Sequence, residues 1–283
     1  MAIHLATFAT PAFYASQRRL QRSARKFGVS VVHSYNFEKF KRTALYDTHR
    51  HILDLPRGAG YWLWKPYIIL ETLKQLGRED VLLYLDSDLI VVGDLTPFCD
   101  LCTADHPIVL VTDHGHRNFE MTRRDCFHYM GCDDARYHNV EQVLSGYQLY
   151  KKTPRTLRFV EECLEFCSDE RILVDGPNHC GLPNLEGFID HRHDQSVLSL
   201  LAERDDVKRV RNPSQWGNHL KMEEYRAPGE WLPAPYSDAI FTNSPYGTLI
   251  DSLSPLAISL RSRMAAAAKR VTSFARAFML GSP

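Results

Sequence analysis

The chain of 283 residues is 44% hydrophobic and 24% charged, enough to bury a full core and near the upper limit for one domain. Lys+Arg and Asp+Glu balance at 34 each, so no global basic field exists and neither nucleic acid nor another polyanion is implied as a partner. No apolar run reaches the ~20 residues that span a bilayer, and residues 1–30 contain no signal-like apolar stretch, so the seven cysteines are expected as thiols in a reduced, cytoplasmic setting.

Residues 4–10 predict a first strand, and residues 14–27, with Leu20, Ala24 and Phe27 at helical spacing, predict the helix behind it. Residues 29–32 read as a second strand and residues 38–53 as mixed, helical sequence. Pro66 suits the first turn of a helix reaching Leu76, because the N–H it lacks would have no intrahelical partner there. Five apolar residues, Val81 to Leu85, then stand between Asp80 and Asp86 and predict a buried strand of a parallel sheet. A helix leading directly into such a strand points to an α/β fold with a mostly parallel central sheet flanked by helices. Farther on, residues 107–111 and 147–150 read as strands, and Pro154 opens a helix to about Cys167. Residues 169–190, rich in Gly, Pro, Asn and Asp, predict a long ordered loop before a helix over 194–202. A catalytic domain is expected over residues 1–250, followed by a tail over 251–283.

The strongest chemical signal is Asp86-Ser87-Asp88, directly after the apolar strand. Sheet enzymes hold ligands beyond the carboxyl ends of their strands. If extended geometry persists, Asp86 and Asp88 project to the same side and suit Mn2+ or Mg2+ that also carries phosphate oxygens. The same tripeptide is equally an ordinary turn closed by Asx hydrogen bonds. A second signal is Gly58-Ala59-Gly60-Tyr61-Trp62-Leu63-Trp64-Lys65-Pro66. Its glycines permit close backbone approach, Trp62 and Trp64 offer flat faces to a sugar ring, and Lys65 stands at a helix start that attracts a diphosphate. The plainer alternative is that both tryptophans cover the sheet and Lys65 is exposed.

A third signal, Asp190-His191-Arg192-His193-Asp194-Gln195, invites a zinc-hydrolase reading, but the His-x-His-x-Asp-His order of binuclear sites is absent. Asp194 and Gln195 at a helix start are candidates for chemistry or for simple capping. Cys99-Asp-Leu-Cys102 has zinc-knuckle spacing without a second pair, so plain thiols are expected.

Taken together, the strand with Asp86-Ser87-Asp88, the upstream Gly-Tyr-Trp-Leu-Trp-Lys-Pro, the Ser145-Gly146-Tyr147 turn before a strand and His193-Asp194-Gln195 resemble small bacterial-type nucleotide-sugar glycosyltransferases of the A-type fold, over about residues 3–220. The resemblance implies Mn2+ or Mg2+ on Asp86 and Asp88, bridging the diphosphate of a nucleoside diphosphate sugar donor. It implies that Thr7, Phe8, Ala9 and Thr10 hold the base and ribose. Asp194-Gln195 matches the pair that lies beneath the donor sugar in retaining galactosyltransferases of lipopolysaccharide synthesis, and His219 is the candidate third metal ligand.

The expected activity is transfer of a sugar, from a UDP-sugar, to a hydroxyl of a glycan or lipid-linked glycan. A sugar-nucleotide nucleotidyltransferase would carry a Gly-rich phosphate loop after the first strand, and Thr7-Phe8-Ala9-Thr10-Pro11 has none; a non-catalytic glycan-binding protein is the other alternative. In the tail, Leu260, Met264, Ala267, Val271, Phe274 and Phe278 form one helical stripe beside Arg261, Arg263, Lys269, Arg270 and Arg276. That pattern suits either peripheral contact with the anionic inner face of a membrane or packing on the domain or on a second subunit.

Overall fold

The computed structural model describes residues 1–214, Tyr236 and residues 240–243. Six strands form one sheet: β1 (Ile3–Ala9), β2 (Val31–Asn36), β3 (Val81–Leu85), β5 (Ile108–Arg117), β6 (Glu141–Lys151) and β7 (Lys208–Val210), in the order β2-β1-β3-β6-β5-β7. Only β6 runs against the others, so the expected mostly parallel sheet is borne out. A second, two-stranded sheet pairs β4 (Leu89–Val91) with β8 (Phe241–Asn243).

The continuous apolar run of β3 has its cause in this layering. Leu82 and Tyr84 face one core with Trp64, Ile68, Phe159 and Leu198, while Val81, Leu83 and Leu85 face another with Leu20, Ala24, Phe98 and Leu149. Both faces are covered, and alternation disappears. The helix Tyr14–Lys26 lays Leu20 and Ala24 on the sheet, and the helix Trp64–Gln75 buries Ile68, Ile69 and Leu73, with Pro66 in its first turn. The helix Pro154–Cys167 starts as expected, its Thr153 hydroxyl accepting the Thr156 N–H at 3.0 Å.

Two strand expectations need correction. β2 begins at Val31 rather than Val29, because the Val29 N–H bonds back to the Ala24 carbonyl across Gly28 at φ +111° and closes the preceding helix. Ser145-Gly146-Tyr147 is not a turn before a strand but a bulge inside β6: β5 pairs Leu110 with Gln148 and Val111 with Leu144. The mixed segment resolves into short helices Phe37–Phe40, Ala44–Thr48 and Arg50–Leu53.

The expected loop over 169–190 opens on a short helix, Glu170–Leu173, and the remainder is ordered from within. Fully buried Asp125 accepts, across more than fifty residues of sequence, the N–H groups of His179 at 2.7 Å and Cys180 at 2.8 Å, and pairs with its neighbour Arg123 at 3.3 Å. All seven cysteines are free, and burial pushes the Cys102 thiol up to about 12, as for an inert core thiol. Among the described residues no helix is long and apolar enough to cross a membrane. The tail over 251–283 and its stripe lie outside the described residues.

Burial pushes the Asp125 carboxyl up, but the His179 and Cys180 N–H groups and Arg123 outweigh it, and the group ends below its ordinary 3.8. Its stabilising contribution is therefore present above pH 3.8 and lost as pH falls through the lowered folded value. Asp125→Asn is expected to lose about 3–5 kcal/mol at neutral pH, because Arg123 is left buried without its counter-charge. In parallel denaturant melts the gap to the parent should narrow in acid below that window; a gap that does not depend on pH refutes the assignment.

Candidate functional site

A cavity of about 430 Å³ opens at the carboxyl ends of β1 and β3, where open α/β sheets bind ligands. One wall is Phe8, Ala9 and Thr10 from the end of β1, with Phe13; another is Asp86, Ser87 and Asp88; the third is Pro56, Gly58, Ala59, Trp62 and Trp64. Thr7 is fully buried within the sheet, so of residues 7–10 it is the last three that reach the cavity wall.

Asp86 and Asp88 share this cavity for a reason other than the expected extended geometry. The strand ends at Leu85, and the Leu89 N–H bonds to the Asp86 carbonyl at 3.2 Å, closing a four-residue turn. Turn and site are thus the same feature. The Asp86 Oδ1 accepts the Tyr84 hydroxyl at 2.6 Å and lies 3.3 Å from the Lys65 Nζ. Its Oδ2 lies against Gly146, where a Cβ would come within 3.0 Å, so a side chain at 146 would crowd the carboxylate.

The third wall is a strained turn. Gly58, Ala59, Gly60, Tyr61 and Trp62 all have positive φ, at 57°, 52°, 91°, 52° and 61°. Each of the three non-glycine residues costs roughly 1–2 kcal/mol in that region, and such strain collects at functional sites. The glycines answer to packing: a Cβ at 58 would lie 2.5 Å from the Trp62 ring, and one at 60 would lie 2.5 Å from the Leu53 Cα. The turn is held by the Trp64 indole N–H donating to the Gly58 carbonyl at 3.0 Å and by Arg57, which reaches Asp175 at 2.7 Å and Asp190 at 3.2 Å. Trp64 is both core and wall, nearly buried and stacked on Phe8 at 3.9 Å. Trp62 stacks on His193 at 5.6 Å.

Behind the cavity wall, Lys65 is buried rather than exposed, and its ammonium meets Asp194 Oδ2 at 3.0 Å, Asp86 Oδ1 at 3.3 Å and the Ser145 hydroxyl at 3.0 Å. The bulge in β6 is what aims Ser145 at this point. Burial alone would lower the Lys65 pKa, but Asp194 and Asp86 outweigh it and raise it. Asp194 is raised by burial, with Lys65 pulling the other way. Gln195 accepts the Ser145 N–H at 3.4 Å and donates to Gln142 at 2.9 Å. Asp194 is not a side-chain cap: the N-cap position of the helix Asp194–Arg204 is His193, which makes no capping bond.

His193, itself at φ 51°, is buried and donates from Nδ1 to the Leu173 carbonyl at 2.8 Å. His191 uses both ring nitrogens, donating to the Ile172 carbonyl at 2.8 Å and accepting the Arg123 N–H at 3.3 Å. His191 therefore has no ring nitrogen left for a metal, against a zinc site that uses both members of the His-x-His pair.

Among the described residues no group of three His, Cys, Asp or Glu forms a metal cage, and His219 lies outside them. Asp86 and Asp88 supply two hard oxygen donors on one cavity wall, which fits a cation completed by a substrate's phosphates. Sequence reasoning missed Arg57 and Asp175, which pair with Asp190 and Tyr61 across more than a hundred residues of chain. It also missed Tyr84, hidden in an apolar run.

Lys65→Met is expected to destabilise by about 3–5 kcal/mol at neutral pH, since the buried Asp194 carboxylate loses its cation. A folded carboxyl raised above its ordinary 3.8 stabilises below that value and loses the contribution as pH rises through the folded pKa; without Lys65 the Asp194 carboxyl is raised further and more is lost. Melting temperatures of parent and variant should hence converge in acid and diverge toward neutral pH. Parallel curves would refute the triad.

No family model matches the chain, and no curated protein matches it. Among solved structures it is similar to the galactosyltransferase LgtC in complex with donor and acceptor sugar analogs, at TM-score 0.47 and 12% identity over 92% of this chain and 95% of that one. It is also similar to mouse xyloside xylosyltransferase 1, at TM-score 0.43 and 11% identity over 85% and 97% of the two chains. A glycosyltransferase involved in glycosylation of the major capsid of PBCV-1 aligns at TM-score 0.37 and 13% identity over 68% and 82%. The chain's own sheet is mostly parallel, and Asp86-Ser87-Asp88 follows the carboxyl end of its central strand β3.

Proposed function

We propose that the protein is a metal-dependent glycosyltransferase that moves a sugar from a nucleoside diphosphate donor, a UDP-sugar, to a hydroxyl of a glycan or lipid-linked glycan. One observation carries the reading: Asp86 and Asp88 share a cavity of about 430 Å³ with the end of β1 and with the wall that carries Trp62 and Trp64, so two carboxylates face a nucleotide-sized space lined by aromatic rings. Mn2+ or Mg2+ held by Asp86 and Asp88 would neutralise the departing diphosphate.

The chain's own groups do the rest. Lys65 and Tyr84 fix the Asp86 carboxylate from behind, through Oδ1, and leave Oδ2 as the oxygen offered. Phe8, Ala9 and Thr10 are proposed to hold the base and ribose, with Thr7 supporting them from the sheet. Asp194 and Gln195, anchored by Lys65 and Ser145, are proposed to act beneath the donor sugar. In an inverting reaction Asp194 takes the acceptor proton; in a retaining one Asp194 or Gln195 steadies the oxocarbenium-like centre. His219 is the proposed third ligand, and the tail over 251–283 the proposed membrane contact.

Donor hydrolysis with and without Mn2+ tests the class, since a nucleotidyltransferase would cleave the donor only when pyrophosphate is supplied, giving a nucleoside triphosphate and the sugar 1-phosphate, and a binding protein would release nothing. Calorimetry with UDP and Mn2+ tests the metal site: Asp86→Ala and Asp88→Ala should each abolish the metal-dependent part of UDP affinity, and unchanged affinity in both overturns it. Asp194→Asn is expected to cut turnover by ~10²-fold or more with donor affinity retained, because such groups act in the transition state. Normal turnover with a lowered Tm would reduce Asp194 to a partner of Lys65.

A further inference from the structure

The balanced total charge conceals a strongly basic end. The first 46 residues contain eight Lys and Arg and one acidic residue, Glu38. In the helix Tyr14–Lys26, Gln17, Leu20 and Ala24 are buried, while Arg18, Arg22, Arg25 and Lys26 are exposed. Arg18, Arg22 and Arg25 stand at i, i+4 and i+7, in one row about 10 Å long. Among the described residues Arg18, Arg22, Arg25 and Lys26 form no ion pair with a carboxylate; Lys26 lies over the Phe27 ring at 5.5 Å. Exposed Lys39, Lys41 and Arg42 follow β2, whose Tyr35 carbonyl accepts the Gln17 amide at 2.9 Å near the start of the helix.

The row also has a definite starting point. Thr10 and Phe13 line the cavity, Phe13 is 48% exposed, and the helix begins at the next residue. Basic charge therefore runs outward from the rim of the cavity, where an unneutralised row concentrates anions. We propose that this face is the binding track for an anionic glycan, one bearing repeated carboxylate groups, which serves as the acceptor; the proposal rests on the transferase reading above. A bilayer fits less well, because the helix's apolar residues are already buried on the sheet and leave nothing to insert into acyl chains.

The test uses the full chain, with polygalacturonate as probe, neutral dextran as control, and vesicles containing phosphatidylglycerol as a third arm. The parent should bind polygalacturonate and not dextran, with affinity falling steeply as salt is added. Combined Arg18→Glu, Arg22→Glu and Arg25→Glu should weaken that binding by about tenfold or more while donor hydrolysis stays unchanged. If the charge reversal impairs folding, the triple Gln variant replaces it, with a smaller loss expected. Equal binding by a folded variant overturns the track, and binding to vesicles without binding to polygalacturonate reassigns the face to a membrane. If the parent hydrolyses no donor yet the variant loses polygalacturonate binding, the track stands as a glycan-binding surface and the acceptor role falls with the transferase reading.

Discussion

One buried ammonium holds the site together. Lys65 sits between Asp86 and Asp194 and touches Ser145, so it pins the end of β3, the start of its own helix, the start of the helix Asp194–Arg204 and the bulge of β6 at a single point. Taking Lys65 and Asp194 out of water costs several kcal/mol per ion, and only close mutual attraction with further hydrogen bonds offsets it. The Tyr84 hydroxyl and the Gln195 and Gln142 amides provide those bonds around the triad. Such a cluster is a weak source of net stability but a strong determinant of register, since a shift in any of the four segments would strand a charge in the core.

The cavity wall opposite the carboxylates depends on a second constraint. Five successive residues with positive φ, three of them not glycine, are retained only because their surroundings leave no alternative. Arg57 anchors the entry through Asp175 and Asp190, Tyr61 reaches Asp175, and Trp62 rests on a histidine that is itself in a disfavoured backbone conformation. The loop that Asp125 orders thus supports the aromatic wall from behind, and its end leads into Asp194. Loop order, wall geometry and the placement of Asp194 are mechanically one system.

Electrostatics is arranged by region rather than by total. The carboxylates of Asp86 and Asp88 face the cavity, the Lys65 ammonium paired with Asp86 is buried, and exposed basic residues lie along the helix that leaves the rim. A cavity wall that offers oxygen donors to a cation and an outer face that offers cations to an anion can coexist because charges exposed to solvent are screened over about 10 Å at ordinary ionic strength.

Much of the architecture was legible in the residues. An unbroken apolar run between Asp80 and Asp86 could only be covered on both faces, and Thr153-Pro154 could only open a helix, because both signals act within a few residues of chain. The motifs that meet at the cavity could likewise be named from their order. What the tertiary structure alone decided is how they meet. The Asp86–Leu89 turn replaced extended geometry, the bulge replaced the turn at Ser145, and Lys65 went into the core rather than toward solvent. Each outcome is set by a partner far away in sequence: Gly146 for Asp86, β5 for Ser145, Asp194 for Lys65. Local propensity carries no information about such partners, and total charge, being a sum over the chain, carries none about where a helix will array its arginines.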